Sequence, residues 1–280
     1  MIDFHTYPFT IKEYVGEGSV LQRQIRDVFG LASGLQPLET FLLRMDVAGI
    51  EKAVLLPIDC TTARGCRLFT NEQIARICRD SGRFIGFASV DPHGKDARDR
   101  LKKAVEELGL KGLKLSPGLQ EFSPDDKKLY PLYETAASLD IPVMIHTGIN
   151  WGRGARIKHS LPLLVEDVAC DFPDLKIVLT RLGWPWVMDT VALLLKYPNV
   201  YCDTAGHVLG GAGEFVAFEL SRQMPLAAVE NSLRHKLVFG SDYPRVWIKT
   251  MVDAVKALDL SEDCLDLVFR RNAQKLLGFE

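Results

Sequence analysis

The chain has 280 residues, 47% of them apolar, and a formal net charge of −2. That is room for one large barrel or two modest domains with a sizeable core. The charge argues against a nucleic-acid polyanion as partner, and no apolar run nears the roughly 18 residues of a membrane span.

In chain order, strand-like runs alternate with helical patterns. A first apolar run covers residues 2–5, and a long segment, 8–34, follows it. Residues 37–49 place Leu38, Phe41, Leu42 and Met45 on one helical face, with Gly49 as a stop. A strand is expected over 53–57, then a long connection over 58–70. Asn71 is read as a helix N-cap with Ile74, Ile77 and Cys78 behind it. Further strands are expected over 84–90, 112–115, 142–146, 176–180, 200–203 and 237–240. Helices are expected over 96–108, 125–139, 161–171, 186–197, 247–258 and 261–269.

From the second onward the strands recur about every 25–35 residues, the length of one βα unit. Eight such units match a single-domain (β/α)8 TIM barrel over residues 1–280. A doubly wound open sheet would carry a Gly-rich phosphate loop after an early strand, and no GxGxxG is present. The segments 8–34, 58–70 and 148–160 each follow a strand, so each is expected on the barrel's active face as lid or wall.

The cysteines, Cys60, Cys66, Cys78, Cys170, Cys202 and Cys264, form no CxxC pair. They read as reduced thiols of a cytoplasmic protein, several of them in the core. The start, MIDFHTYPF, carries no basic n-region or apolar h-region, in line with that location.

In a barrel, polar residues at C-terminal strand ends converge on one pocket. Here they are His5 and Tyr7, Lys114 and Ser116, His146, Arg181, Asp203 and Asp242. Imidazole and carboxylate from different strands suit zinc or another divalent first-row metal. His93, His159, His207 and His235 are read as hydrogen-bonded packing residues. The cations Arg64, Arg67, Lys114, Arg153, Arg156, Lys158, Arg181 and Arg245 fall at or after strand ends. Most read as solvated loop charge; Arg181 and Lys114 read as anchors for a small carboxylate. Trp184, Trp186 and Trp247 are expected in the core, with an interface as the other use.

Several stretches resemble the amidohydrolase superfamily, in the amidohydrolase-related branch that includes aminocarboxymuconate-semialdehyde decarboxylase. They are Gly112-Leu-Lys-Leu-Ser-Pro, Pro142-Val-Met-Ile-His-Thr-Gly, and the run from Phe172 through Thr180-Arg-Leu-Gly-Trp-Pro-Trp-Val. Lys196-Tyr-Pro-Asn-Val-Tyr-Cys-Asp-Thr, Phe239-Gly-Ser-Asp-Tyr-Pro and Asn272-Ala-Gln-Lys-Leu-Leu-Gly agree. The resemblance implies a (β/α)8 barrel and a divalent metal serving hydrolysis or non-oxidative decarboxylation. His5 then matches the first histidine of the strand 1 HxH, His146 the strand 5 metal histidine, and Asp242 the strand 8 aspartate. Tyr7 stands where the second HxH histidine is expected, and Arg181 where strand 6 supplies a histidine.

Three functions follow from the resemblance and its departures. One is a hydrolase or decarboxylase of a small carboxylate, with zinc on His5, His146, Asp242 and Tyr7, Asp242 as base, and Arg181 and Lys114 on the substrate. Another is a catalytically impaired accessory subunit paired with an active paralogous amidohydrolase-fold subunit, of a hydrolase or of a metal-dependent oxygenase; the chain is expected as a homo-oligomer or as a hetero-oligomer with such a paralogue. The third is a metal-free lactonase or hydratase with Asp242 as base.

Overall fold

The structure is a computed structural model and describes residues 1–206 and 211–279. Its centre is eight parallel strands: β1 (Ile2–Thr6), β2 (Lys52–Leu55), β3 (Phe84–Gly86), β4 (Leu113–Leu115), β5 (Val143–Ile145), β6 (Ile177–Leu179), β7 (Val200–Asp203) and β8 (Leu237–Val238). Each expected strand is present: β1 runs one residue further, β7 has the expected bounds, β2 is shifted to begin at Lys52, and the others are trimmed. Strands β1 to β3 pair in order, as do β4 to β8, all in parallel. Two seams close the cylinder. Ala88 bridges Leu113 between β3 and β4. On the other side the Phe4 amide donates to the Phe239 carbonyl at 2.7 Å, and Thr6 bridges Tyr243. This is the (β/α)8 barrel the periodicity predicts.

Closure demands a side-chain-free position beside His5. A Cβ on Gly240 would lie 2.8 Å from that of His5 and 3.3 Å from that of Asp203. Glycine there lets β8 and β7 approach β1 closely enough for their functional groups to meet.

The outer layer follows its amphipathic patterns. Helix Leu38–Ala48 buries Phe41, Met45 and Ala48 and ends on Gly49, whose φ of 73° is left-handed. Helix Asn71–Asp80 buries Ile74, Ala75 and Ile77. Its cap is Thr70, not Asn71: Thr70 and Gln73 form a reciprocal capping box. Asn71 is released to accept from the Ser89 amide at 2.9 Å, beyond the end of β3.

The connection over 58–70 is not a plain loop. It contains an antiparallel hairpin, Ile58–Cys60 against Cys66–Leu68. Strands of three residues are too short to show an alternation of period two. This wall and the other two long segments are knit together. The Arg153 amide donates to the Val28 carbonyl at 2.9 Å, and Arg64 Nη2 to the Gly154 carbonyl at 2.8 Å. Arg245, following β8, donates to the Phe29 and Gly30 carbonyls and lies over the Phe29 ring.

Among the described residues, no helix is long and apolar enough to cross a membrane.

Candidate functional site

At the C-terminal ends of the strands, His5 (β1), Lys114 (β4) and Asp203 (β7) are fully buried. Asp242, after β8, is too, while His146 and Arg181 are at most 5% exposed. Burial pushes the His5 imidazole below its usual pKa despite the neighbouring Asp203 carboxylate, so the ring is neutral near pH 7. Its Nδ1 lies 2.6 Å from Asp203 Oδ2 and its Nε2 3.0 Å from the Tyr7 hydroxyl. A neutral ring has one donor and one acceptor. The carboxylate can only accept, so Nδ1–H donates to Asp203 and the Nε2 lone pair accepts from Tyr7. Burial and the nearby Asp242 carboxylate raise the Tyr7 pKa, which keeps that phenol proton in place.

Asp203 is the hub of this arrangement. Besides His5 it accepts from the Arg181 amide at 2.7 Å and the Ala205 amide at 3.0 Å. The sequence marks it as a strand end without giving it a role; the signal is the Val200-Tyr-Cys-Asp run. Asp3 is a site residue that sequence reasoning misses altogether. Its carboxylate accepts from the His5 and Ser241 amides at 3.1 and 2.9 Å, and burial raises its pKa to about 7. It pins β1 to the chain after β8.

Arg181 Nη2 lies 2.5 Å from Asp242 Oδ1, a buried ion pair, and Nη1 donates to the Gly206 carbonyl at 3.3 Å. Both residues have left-handed backbones, with φ of 58° and 63°. Non-glycine residues avoid that region, and such strain clusters at functional sites. The His146 Nε2 faces the Ile149 carbonyl at 3.2 Å. Burial, helped by Lys114 and Arg181, lowers its pKa well below the usual value.

Lys114 completes the set. Among the described residues, its ammonium position has no hydrogen-bond partner. Burial lowers its pKa to about 7, against the pull of Asp203 and Asp242.

The family resemblance implies a metal on His5, Tyr7, His146 and Asp242, and the side chains do not fit one as placed. Tyr7 occupies the His5 lone pair and keeps its proton. The Asp242 carboxylate is paired with a guanidinium that never deprotonates. Both Arg181 and Lys114 add positive charge where a dication would sit. Among the described residues, no group of three or more His, Cys, Asp or Glu side chains is placed to hold a metal ion.

The remaining cations separate as the sequence suggests. Arg64 and Arg67 pair with Glu121 and Asp59 at 2.9 and 3.0 Å, and Arg153, Arg156 and Lys158 lie at least partly in solvent. His93 bonds the Gln120 carbonyl at 2.8 Å, as a packing residue does, whereas His159 and His235 reach solvent. His207 lies outside the described residues. Gln120 carries no signal in the sequence: its amide braces the Asp59 and Val90 carbonyls at 2.7 and 2.9 Å.

Gly148, just after β5, sets the turn that carries His146 into the site. Its φ is 81°, and a Cβ there would collide with the Trp184 carbonyl oxygen. Gly148→Ala is expected to cost at least about 2 kcal/mol through the clash and the strained φ. Urea unfolding of the variant beside the parent measures it; equal midpoints would show that the turn relaxes freely.

Comparison with known proteins agrees with this architecture. Residues 24–279 match the amidohydrolase family. The chain is 24% identical over 282 residues to the gamma-resorcylate decarboxylase of Polaromonas sp. strain JS666, covering 85% of this chain and 83% of that one. Among solved structures, an uncharacterized TIM-barrel protein from Bordetella bronchiseptica superposes with a TM-score of 0.79 at 24% identity, covering 99% of this chain and 98% of that one. A probable 2-pyrone-4,6-dicarboxylic acid hydrolase from Acinetobacter baumannii superposes with a TM-score of 0.69 at 18% identity, covering 99% of each. With nearly its whole length matched and its eight strands closed, the chain belongs to the amidohydrolase family.

Proposed function

We propose that this protein is a hydrolase or carboxy-lyase of a small carboxylate whose acid–base chemistry is done by side chains, without a resident metal ion. The observation that carries the reading is the Lys114 amine: buried, without a hydrogen-bond partner among the described residues, and in the electrostatic field of Asp203, Arg181 and Asp242. An unpaired polar group in the interior is costly unless a ligand satisfies it. A substrate carboxylate supplies that partner, with Arg181 as second anchor. An amine that titrates near pH 7 can both hold and release a proton at working pH, which arginine at the strand 6 position cannot. Lys114 and Asp242 then share the proton transfers, while Asp203 keeps His5 in one tautomer and Arg181 holds the Asp242 carboxylate in place. The names of the relatives support a carboxylate substrate, since gamma-resorcylate and 2-pyrone-4,6-dicarboxylic acid both carry one. The free cysteines support a reducing, cytoplasmic location.

Turnover of γ-resorcylate and of 2-pyrone-4,6-dicarboxylate by the purified protein tests this reading, before and after exhaustive chelation. Activity unchanged by chelator is expected. Activity that vanishes and returns with added zinc would overturn it.

A second reading rests on the outer surface. Trp247, expected in the core, is 59% exposed, while Trp184 does pack against it. Leu43 and Val47 are exposed near Trp247 and line one groove with it. That apolar patch favours association with a second barrel subunit, identical or paralogous. Native mass spectrometry distinguishes a lone chain from a dimer.

A further inference from the structure

We propose that Cys60 and Cys66 are a site of reversible oxidation, closing a disulfide across the hairpin of the active-face wall when the protein meets a peroxide. The two cysteines are direct cross-strand partners in the antiparallel register, between Asp59↔Arg67 and the turn. Residues opposed in this way have Cα atoms about 4.5–5.5 Å apart, inside the roughly 4.4–6.8 Å that a disulfide spans. The sulfurs already face each other at 3.6 Å. Side-chain rotation alone has to bring them to the bonding distance of about 2.05 Å.

The pair is asymmetric, as stepwise oxidation requires. Cys66 keeps 6% of its surface exposed and Cys60 only 1%. The Cys60 thiol hydrogen-bonds Cys66 and, with the nearby Arg64 guanidinium, lowers the Cys66 pKa, while that of Cys60 is raised. The Cys66 thiolate attacks one peroxide oxygen. The O–O bond breaks, hydroxide leaves and takes up the Cys66 proton as water, and Cys66 becomes a sulfenic acid. The Cys60 sulfur then attacks the Cys66 sulfur, the S–O bond breaks, and the hydroxyl departs with the Cys60 proton as a second water. In total two thiols and one hydrogen peroxide yield one disulfide and two waters.

The bond closes a ring around the turn Thr61–Arg64. Arg64 ties that turn to Gly154 and Glu121, which belong to neighbouring walls of the mouth. Oxidation therefore staples the rim of the site and leaves the buried polar cluster unaltered. The assignment does not depend on which reaction the barrel performs.

The reduced full-length protein, treated with hydrogen peroxide under native conditions, alkylated and digested with trypsin, tests it. Cleavage after Arg64 and Arg67 separates the two cysteines, so the disulfide appears as peptide 53–64 linked to peptide 65–67. This linked pair is expected as the main oxidation product, lost on adding dithiothreitol. In Cys60→Ser, Cys66 is expected to stop at a sulfenic acid that dimedone captures. Recovery of Cys60 and Cys66 as separately alkylated thiols, at a dose that oxidises the exposed Cys170, would overturn the proposal. So would sulfinic acid at Cys66 without the linked peptides.

Discussion

Lys114→Met is expected to abolish turnover and, at the same time, to make the protein more stable. The two effects have one cause. An ammonium group brought from water to a fully buried position loses its hydration, and its pKa falls from 10.5 to about 7. Below pH 7 the lysine is protonated in both the folded and unfolded chain, and the folded state bears the whole cost of burying the charge. Between pH 7 and 10.5 the unfolded chain binds the extra proton, so the stability of the parent rises with pH. Above 10.5 the cost is gone. About 3.5 pKa units at 1.36 kcal/mol each set an upper bound of about 5 kcal/mol on the gain at neutral pH. Methionine is uncharged and of similar length, so the variant escapes this cost without leaving a large cavity. Its advantage over the parent is expected to be largest at pH 7 and below, and to shrink toward pH 10. Loss of the proton carrier is expected to lower the rate by roughly 10²- to 10⁴-fold. Chemical denaturation of both proteins from pH 6 to 10, beside turnover assays, reads both arms. A destabilised Lys114→Met would mean that the amine is satisfied in the folded state. A stabilised variant with full activity would leave the burial argument intact and remove the catalytic one.

The double change Tyr7→His/Arg181→His is expected to raise zinc retention by the site. Tyr7 now occupies the Nε2 lone pair of His5 at 3.0 Å, and Arg181 holds Asp242 at 2.5 Å. An imidazole in place of the Tyr7 phenol offers its own nitrogen and releases that of His5. A neutral imidazole in place of the Arg181 guanidinium removes the cation and frees the carboxylate. The introduced strand 1 imidazole, with His5, His146 and Asp242, then forms a donor set of the type zinc prefers. The expected stoichiometry is near zero for the parent and approaches ~1 zinc per chain for the double variant. Removing Arg181 without supplying metal leaves a buried carboxylate unpaired, at a cost of about 3–5 kcal/mol. The variant is therefore also expected to be destabilised as apoprotein and to recover thermal stability when zinc is added, which the parent does not. Equal zinc occupancy in the two proteins would show that positions 7 and 181 do not control the site.

The barrel, the order of its strands and the short list of polar residues at their ends are legible along the chain. These are local properties. A buried parallel strand is an apolar run, an amphipathic helix is a period of 3.6, and their alternation leaves few topologies. His5, Lys114, His146, Arg181 and Asp242 could be named because each stands at or near the end of such a run. Errors appeared where the local signal was ambiguous, as with Thr70 and Asn71, both capable caps, or too short, as with the three-residue strands of the hairpin. The partners of those polar atoms emerge only on folding. Asp203 takes the His5 proton donor across 198 residues of chain, and Arg181 reaches Asp242 from another strand. Tyr7 meets the His5 lone pair that a metal would need, and Lys114 is left without a hydrogen-bond partner among the described residues. Hydrogen bonds and ion pairs are settled by distances of a few tenths of an ångström between residues remote in sequence. No pattern along the chain encodes such distances, so the same list of residues suits a metal centre when read in sequence and a set of buried ion pairs and hydrogen bonds once folded.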